Sequence, residues 1–209
     1  VGSITNLIVS GTKTTGAAPI SMPTFDAAFW KAQAQLGTTI NGNYTVPNGS
    51  SIGPLYVTGN FTVGNSANFS VQGPVYVNGD ITFGNSPIIT VNNNTGSNGV
   101  MMVSQKKIVF GNSITITNNN QGGHLLLVST STSDGIVVGN SAGVINAPLY
   151  VPFGNLVLGN SARAIAFTAK KITIGNGTVL NFDSSLINAT YTSGPTGAWQ
   201  LEKGSYQEY

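Results

Sequence analysis

The chain has 209 residues, 40% apolar and only 7% charged, with a net charge of +2 and no cysteine. That length can bury a core as one domain, and the apolar, β-branched content separates it from charge-rich disordered chains. Disulfides, thiolate catalysis and Cys-ligated metals are excluded, and eight Lys or Arg without a basic tract argue against a nucleic-acid partner.

Residues 1–20 read as one strand and a linker. The strand covers residues 4–9, with Ile4, Leu7, Ile8 and Val9 apolar, and a Gly/Thr/Ala/Pro stretch follows. A lone strand of this kind can add to the sheet edge of a neighbouring copy. Repeated head-to-tail addition does not close and gives a filament. Pairing within its own chain, or tethering to a missing anchor, are the alternatives.

Residues 21–54 hold the one convincing helix, over residues 24–36, and a lead-in. Thr24 is a candidate N-cap, Asp26 suits the first turn and Gly37 stands where a helix-ending glycine belongs. Phe25, Phe29, Ala32 and Leu36 fall on one face. An amphipathic helix here suits the open end of a stack, which otherwise exposes an unpaired edge and apolar core.

Residues 55–182 are a repeat. The tetrad apolar-Gly-Asn-small occurs six times: Val63-Gly64-Asn65-Ser66, Phe83-Gly84-Asn85-Ser86, Phe110-Gly111-Asn112-Ser113, Val138-Gly139-Asn140-Ser141, Leu158-Gly159-Asn160-Ser161 and Ile174-Gly175-Asn176-Gly177. The glycines at 64, 84, 111, 139, 159 and 175 are separated by 20, 27, 28, 20 and 16 residues. Self-similarity at such a period means a stacked array. Each tetrad ends a short strand whose first and third apolar residues point inward. The outward residue between them is Thr62, Thr82, Val109, Val137, Val157 or Thr173, β-branched throughout. A second strand follows each corner, as at 68–71, 88–91 and 114–117. A third precedes each first strand, at 55–57, 75–77, 101–103, 125–127 and 149–151. Three short strands in about 20 residues is one turn of a parallel β-helix, so the expected fold is all-β, a β-solenoid of about six coils with an N-terminal capping helix. Insertions at 92–99, 118–123 and 130–134 explain the long spacings, and the short last step means a corner lost near Thr168. In the corner, Gly and then Asn are expected to take positive φ. Asn65, Asn85, Asn112, Asn140, Asn160 and Asn176 are expected to stack as a structural amide ladder. Residues 183–209, with Trp199, Leu201, Tyr206 and Tyr209, leave the pattern and read as a C-terminal cover.

Few residues invite chemistry. The single His124 ends an Asn/Gly loop and reads as solvated, without a Ser-plus-acid constellation or metal-binding partners. Asp80 lies in the same column as Lys107 one coil on, which reads as an exposed ion pair. Asp134 falls to the side, so no pair of facing carboxyls for sugar cleavage assembles. The pairs Lys106-Lys107 and Lys170-Lys171 read as solvated faces. No catalytic, cofactor-binding or metal-binding residue is assigned. Tyr56, Tyr76 and Tyr150 occupy equivalent positions, and form a contact stripe if they point outward, or a covered face if other segments pack on them. Asn43, Asn48, Asn60, Asn68, Asn93, Asn176 and Asn188 stand in Asn-X-Ser/Thr sequons, candidates for glycosylation in a secreted chain.

The segments Met22-Pro23-Thr24-Phe25-Asp26-Ala27-Ala28-Phe29-Trp30-Lys31-Ala32-Gln33-Ala34-Gln35, Asn41-Gly42-Asn43 and Tyr76-Val77-Asn78-Gly79-Asp80-Ile81-Thr82 resemble the ectodomain of pilin-like, PilX-type pilus-assembly proteins. The closing Gly197-Ala198-Trp199-Gln200-Leu201-Glu202 and Gln207-Glu208-Tyr209 are similar to the Trp-rich tails of that family. In those proteins a membrane-inserted helix precedes a short amphipathic helix and a β-helical repeat. The resemblance implies a pilus-associated or filament-forming role at the cell surface without catalysis. Low charge and Asn/Ser/Thr/Gly richness point the same way. A chain that begins at Val1 reads as a processed product, with any membrane contact made through a missing N-terminal segment. The expected function is therefore a non-enzymatic extracellular structural protein, self-associating into or attached to a filament. The alternative is an adhesin that binds a surface glycan through its corner loops.

Overall fold

A computed structural model of the chain describes residues 24–181, 190–192 and 198–200. The expected N-terminal strand (Ile4, Leu7, Ile8, Val9), Asn188 and most of the expected C-terminal cover lie outside the described residues. Parallel strands dominate, arranged in levels that repeat along the chain. Level one holds β1 (Thr38–Ile40), β2 (Tyr44–Thr45) and β3 (Ser50–Ile52), and level two β4 (Leu55–Val57), β5 (Phe61–Val63) and β6 (Asn68–Val71). Level three holds β7 (Val75–Val77), β8 (Ile81–Phe83) and β9 (Ile88–Val91), and level four β10 (Val100–Ser104), β11 (Ile108–Phe110) and β12 (Thr115–Thr117). Level five holds β13 (Leu125–Ser129), β14 (Asp134–Val138) and β15 (Val144–Ile145). Levels six and seven hold β16 (Leu149–Leu158) with β17 (Arg163–Ala164), and β18 (Phe167–Ile174) with β19 (Val179–Leu180).

Equivalent strands pair in parallel at adjacent levels and form three columns. The first runs from β1 through β4, β7, β10 and β13 to the first half of β16, and the second from β2 through β5, β8, β11 and β14 to its second half. Because β16 and β18 are each continuous across both columns, these become one 12-stranded sheet. The third column is divided, with β3, β6, β9 and β12 in one sheet and β15, β17 and β19 in another. The repeat thus begins at Thr38, inside the expected lead-in, and has seven levels where about six were expected. Sequence alone hid level one because it carries no Gly-Asn-Ser tetrad. β20 (Thr190–Thr192) and β21 (Ala198–Gln200) pair antiparallel with one another.

The second column follows the in-out-in pattern. Phe61, Ile81, Ile108, Ile136 and Leu156 stack in register on the inside, each fully buried, while Thr62 and Thr82 face solvent. Burying side chains of this size gains about 1.5–3 kcal/mol each, which is the main force holding short strands together. Phe83 and Phe110 stack with ring centroids 5.0 Å apart. The lost corner of level seven appears as a register shift: between Val151 and Asn155 β16 carries three residues, whereas only Lys170 separates Ala169 from Lys171 in β18.

The helix α1 (Ala27–Gln35) departs from expectation in its cap, its face and its place. Asp26 rather than Thr24 is the N-cap, its Oδ1 accepting the Phe29 N–H at 2.9 Å. Trp30 and Ala34 are the buried pair, whereas Leu36 is 77% exposed and Ala32 faces solvent. The helix does not close an end of the stack. It lies along the outer face of the first column, in an apolar cluster with Tyr56, Tyr76, Met101, Leu126 and Tyr150.

Candidate functional site

Corners between columns are where side chains are free to serve something other than the core. At the corner between the second and third columns, each level of the tetrad bonds the next through asparagine. Asn65 Oδ1 accepts the Asn85 N–H at 2.8 Å and Asn85 Oδ1 accepts the Asn112 N–H at 2.9 Å. Asn140 Oδ1 likewise accepts from Asn160, and Asn160 Oδ1 from Asn176. The acceptor is the side chain but the donor is main chain, so this is not the amide-to-amide stack expected. It also breaks once. Between Asn112 and Asn140 the register slips by a residue, and Ser113 N–H donates to Ser141 O where its equivalents Ser86 and Ser141 donate to Asn112 O and Asn160 O.

The positive φ of this corner belongs to the fourth residue of the tetrad, not to Gly or Asn. Ser66, Ser86, Ser113, Ser141 and Ser161 lie between 54° and 58°, and Gly177 takes that place in the last copy at 67°. The glycine serves close approach instead: a Cβ on Gly84 would stand 2.6 Å from Asn65 Oδ1.

A second ladder runs at the corner between the first and second columns. Asn43 Oδ1 accepts the Asn60 N–H at 2.9 Å, Asn60 Oδ1 the Asp80 N–H at 3.0 Å, and Asp80 Oδ1 the Lys107 N–H at 3.0 Å. Asp80 and Lys107 therefore meet through main chain, rather than as the ion pair expected. The Gly-Asn and Gly-Asp pairs at 42–43, 59–60 and 79–80 carried the signal, but without the flanking tetrad they read as sequons or isolated acids. The six described sequon asparagines are all exposed residues, and Asn43, Asn48, Asn60 and Asn93 also use Oδ1 to accept main-chain N–H groups.

Above this second ladder the insertion at 130–134 opens a cleft of about 370 Å³, lined by Asp80, Gln105, Lys106, Lys107 and residues 130–134. Next to its lining residues in the chain stand two fully buried serines in register, Ser104 and Ser129. Ser104 Oγ donates to Gly79 O at 2.8 Å and accepts the Lys106 N–H at 3.0 Å, and Ser129 Oγ donates to Lys106 O and accepts the Ser131 N–H. These bonds fix the backbone of both cleft walls. Asp134 Oδ1 accepts Asn155 Nδ2 at 3.2 Å, so each carboxylate already holds a structural partner. Asp80 and Asp134, which the sequence left apart, thus line one cleft with two lysines and several hydroxyls. Such a surface suits hydrogen bonding to a polyhydroxylated ligand better than proton transfer.

The other two insertions pack on each other. The buried Asn119 donates from Nδ2 to Thr95 Oγ1 and Gly96 O at 2.8 Å, and its Oδ1 accepts the N–H of Gln121 and Gly123. His124 follows, 1% exposed rather than solvated, with its carbonyl accepting the Val100 N–H.

The tyrosine column is covered. Tyr56, Tyr76 and Tyr150 are 6%, 1% and 4% exposed beneath α1, so they offer no contact stripe. Phe25 meets Tyr150 edge-on at 6.4 Å, and Lys31 Nζ sits 5.1 Å from the Tyr56 ring centroid. Burial pushes the Tyr150 hydroxyl up to about 12, and that of Tyr44, whose ring is tilted 44° to that of Phe61, up as well. Among the described residues no three His, Asp or Glu side chains gather as a metal site, and no helix is long and apolar enough to cross a membrane. Compared with protein-family models, curated proteins and solved structures, the chain matches none.

Proposed function

We propose that the stacked levels form a parallel β-helix, and that the chain is a non-enzymatic, extracellular structural protein displayed from a pilus or surface filament. The observation that supports this is the path of α1. Phe25 lies against Tyr150 at level six and Lys31 over Tyr56 at level two, so the helix runs back down the stack before the first strand begins. The described chain enters beside level six and leaves level seven at Asn181. Both connections to the rest of the polypeptide are at one end, and level one is at the other. A rod held at one end and free at the other is the geometry of a displayed module.

A direct test uses the absence of cysteine. Thr39→Cys marks the free end and Lys171→Cys the held end, both at exposed positions. On intact cells producing the native protein, an impermeant maleimide dye should label Thr39→Cys several-fold more than Lys171→Cys. Labelling of neither, with full labelling after lysis, would remove the surface assignment, and the reverse preference would remove the orientation.

The cleft at Asp80, Gln105, Lys106 and Asp134 favours a second reading, an adhesin for a neutral surface glycan. Binding to a panel of immobilised glycans that is lost in Lys106→Ala and Asp134→Ala would favour it over a purely structural role.

A further inference from the structure

Between α1, the turn from β6 to β7 and the start of β10 lies a pocket of about 260 Å³. The helix contributes Phe29, Trp30 and Gln33, and the sheet side Gln72, Pro74 and Met101. None of the described residues that line it is charged. Trp30 is 7% exposed, and its Nε1 is buried with no hydrogen-bond partner among the described residues. A buried donor left unpaired is costly, and native structures hold few of them. A phenyl ring at position 30 would cover the tyrosine column without that cost. The indole N–H is therefore best explained by an acceptor that enters the pocket.

The lining narrows the chemistry of that acceptor. An indole N–H donates only. A carbonyl oxygen meets it completely, whereas a hydroxyl brings an O–H that needs a second partner at the buried end of the pocket. A lining without charge suits a neutral ligand, and Pro74 and the fully buried Met101 suit a methyl group beside the carbonyl. The remaining polar groups are carboxamides. Gln33 is half-buried and Gln72 exposed, and the Oε1 of Gln72 accepts the Ser51 hydroxyl at 2.8 Å, so Nε2 is the group that Gln72 offers. The Thr95 hydroxyl at the rim is already paired, donating to Asn92 O and accepting from Asn119 Nδ2. The volume falls below the roughly 300–1,000 Å³ of sites for drug-sized ligands, and matches a single sugar ring.

We propose that this pocket binds one N-acetylhexosamine unit of a neutral glycan. The acetamido carbonyl accepts the Trp30 indole N–H, the acetamido methyl packs on Pro74 and Met101, and ring hydroxyls bond the carboxamides of Gln33 and Gln72. Phe29, half-buried beside them, covers an apolar face of the ring. The pocket shares no residue with the cleft of Asp80 and Asp134, so the two sites fail or hold independently.

The test reads the indole itself. In a proton–nitrogen correlation spectrum of the isotope-labelled full chain, the two tryptophans give two indole peaks, and Trp30→Phe identifies one of them. Titration with the methyl glycosides of N-acetylglucosamine and N-acetylgalactosamine should move the Trp30 peak saturably. At least one of the two should bind roughly tenfold more tightly than the matching glucoside or galactoside, which carries a hydroxyl in place of the acetamido group. In calorimetric titrations with the same sugars, Trp30→Phe and Gln72→Ala should each weaken binding several-fold, and Lys106→Ala, in the cleft, should not. Gln72 is exposed, so its variant should keep the parent's melting temperature and separate lost binding from lost fold. A Trp30 peak that stays in place with all four sugars would overturn the proposal, the N–H then being met by water. So would equal binding of the hexosides, or binding that survives both pocket variants. N-acetylglycinamide bound more tightly than either sugar would also overturn it, and would make the ligand a peptide.

Discussion

Gly84 packs where a Cβ would stand 2.6 Å from Asn65 Oδ1 and 2.9 Å from Asn65 N, and two residues on Ser86 holds a φ of 58°. The two positions respond to substitution with opposite sign. Gly84→Ala forces apart two levels that stack at main-chain contact and should cost about 1–3 kcal/mol. Ser86→Gly relieves a left-handed conformation worth about 1–2 kcal/mol, offset by about 0.5–1 kcal/mol of unfolded-chain entropy, so the variant should match or slightly exceed the parent. Denaturant melts of the two variants decide it, and an unchanged midpoint for Gly84→Ala would show that the two levels have room for a Cβ there. The asparagines differ in the same concrete way. Asn85→Ala removes the acceptor for the Asn112 N–H and should cost about 1 kcal/mol. Asn112→Ala, at the break in the ladder, removes no ladder bond and should cost clearly less, although its place near the middle of the repeat suggests the reverse. A larger loss for Asn112→Ala in the same melts would show that the ladder runs unbroken.

At the scale of elements, periodicity carried the strands and failed on the helix. In-out-in triplets and the recurring tetrad place the strands of levels two to six close to where they form, because both faces of each strand obey a simple alternation. Level one was not legible, since Thr38, Thr39 and Tyr44 have no apolar rhythm and are drafted by pairing with β4 and β5. For α1 the period of 3.6 admits two apolar faces. Of the expected face, Phe25 and Phe29 do pack, partly buried, against the tyrosine cluster, but Ala32 and Leu36 face solvent, and the sheet beneath buries Trp30 and Ala34 instead. The cleft was unreadable for another reason: Asp80 and Asp134 are neighbours only because the 130–134 insertion folds back over Lys106. The helix-covered face makes its own prediction. Tyr150 keeps its proton in the folded state up to about pH 12, whereas in the unfolded chain it ionises near its ordinary value of 10.0. Between those values the unfolded state binds fewer protons, so stability falls as pH rises and is fully present only below about 10. Tm measured across pH 9–12 should drop less steeply in Tyr150→Phe than in the parent, and parallel curves would show that the hydroxyl is already solvated in the fold.

The described levels form two blocks held by a strap. Levels one to four and levels five to seven are joined through the first two columns, by β10 with β13 and β11 with β14, but the third column changes sheet between β12 and β15. At that same height the asparagine ladder breaks and the corner slips to Ser113–Ser141 and Ile114–Ala142 bonds. The segment from Phe25 through helix α1 spans the fault, with Trp30 and Ala34 in one cluster with Met101 and Val103 of level four and Val128 of level five, and Phe25 on Tyr150 beyond. In a linear array stability is a sum of level terms and nearest-neighbour interfaces, so one weak interface can uncouple the two sides once nothing bridges it. Trp30→Ala removes a 7% exposed side chain, a change of the kind that costs about 3–5 kcal/mol, and adding Phe25→Ala frees the upper end of the strap. The parent should therefore unfold in one calorimetric transition with matching van't Hoff and calorimetric enthalpies, and the double variant in two, the blocks 38–117 and 125–181 melting separately. A single two-state transition merely shifted to lower temperature would show that the first two columns alone couple the blocks, and that α1 serves only to cover the tyrosines.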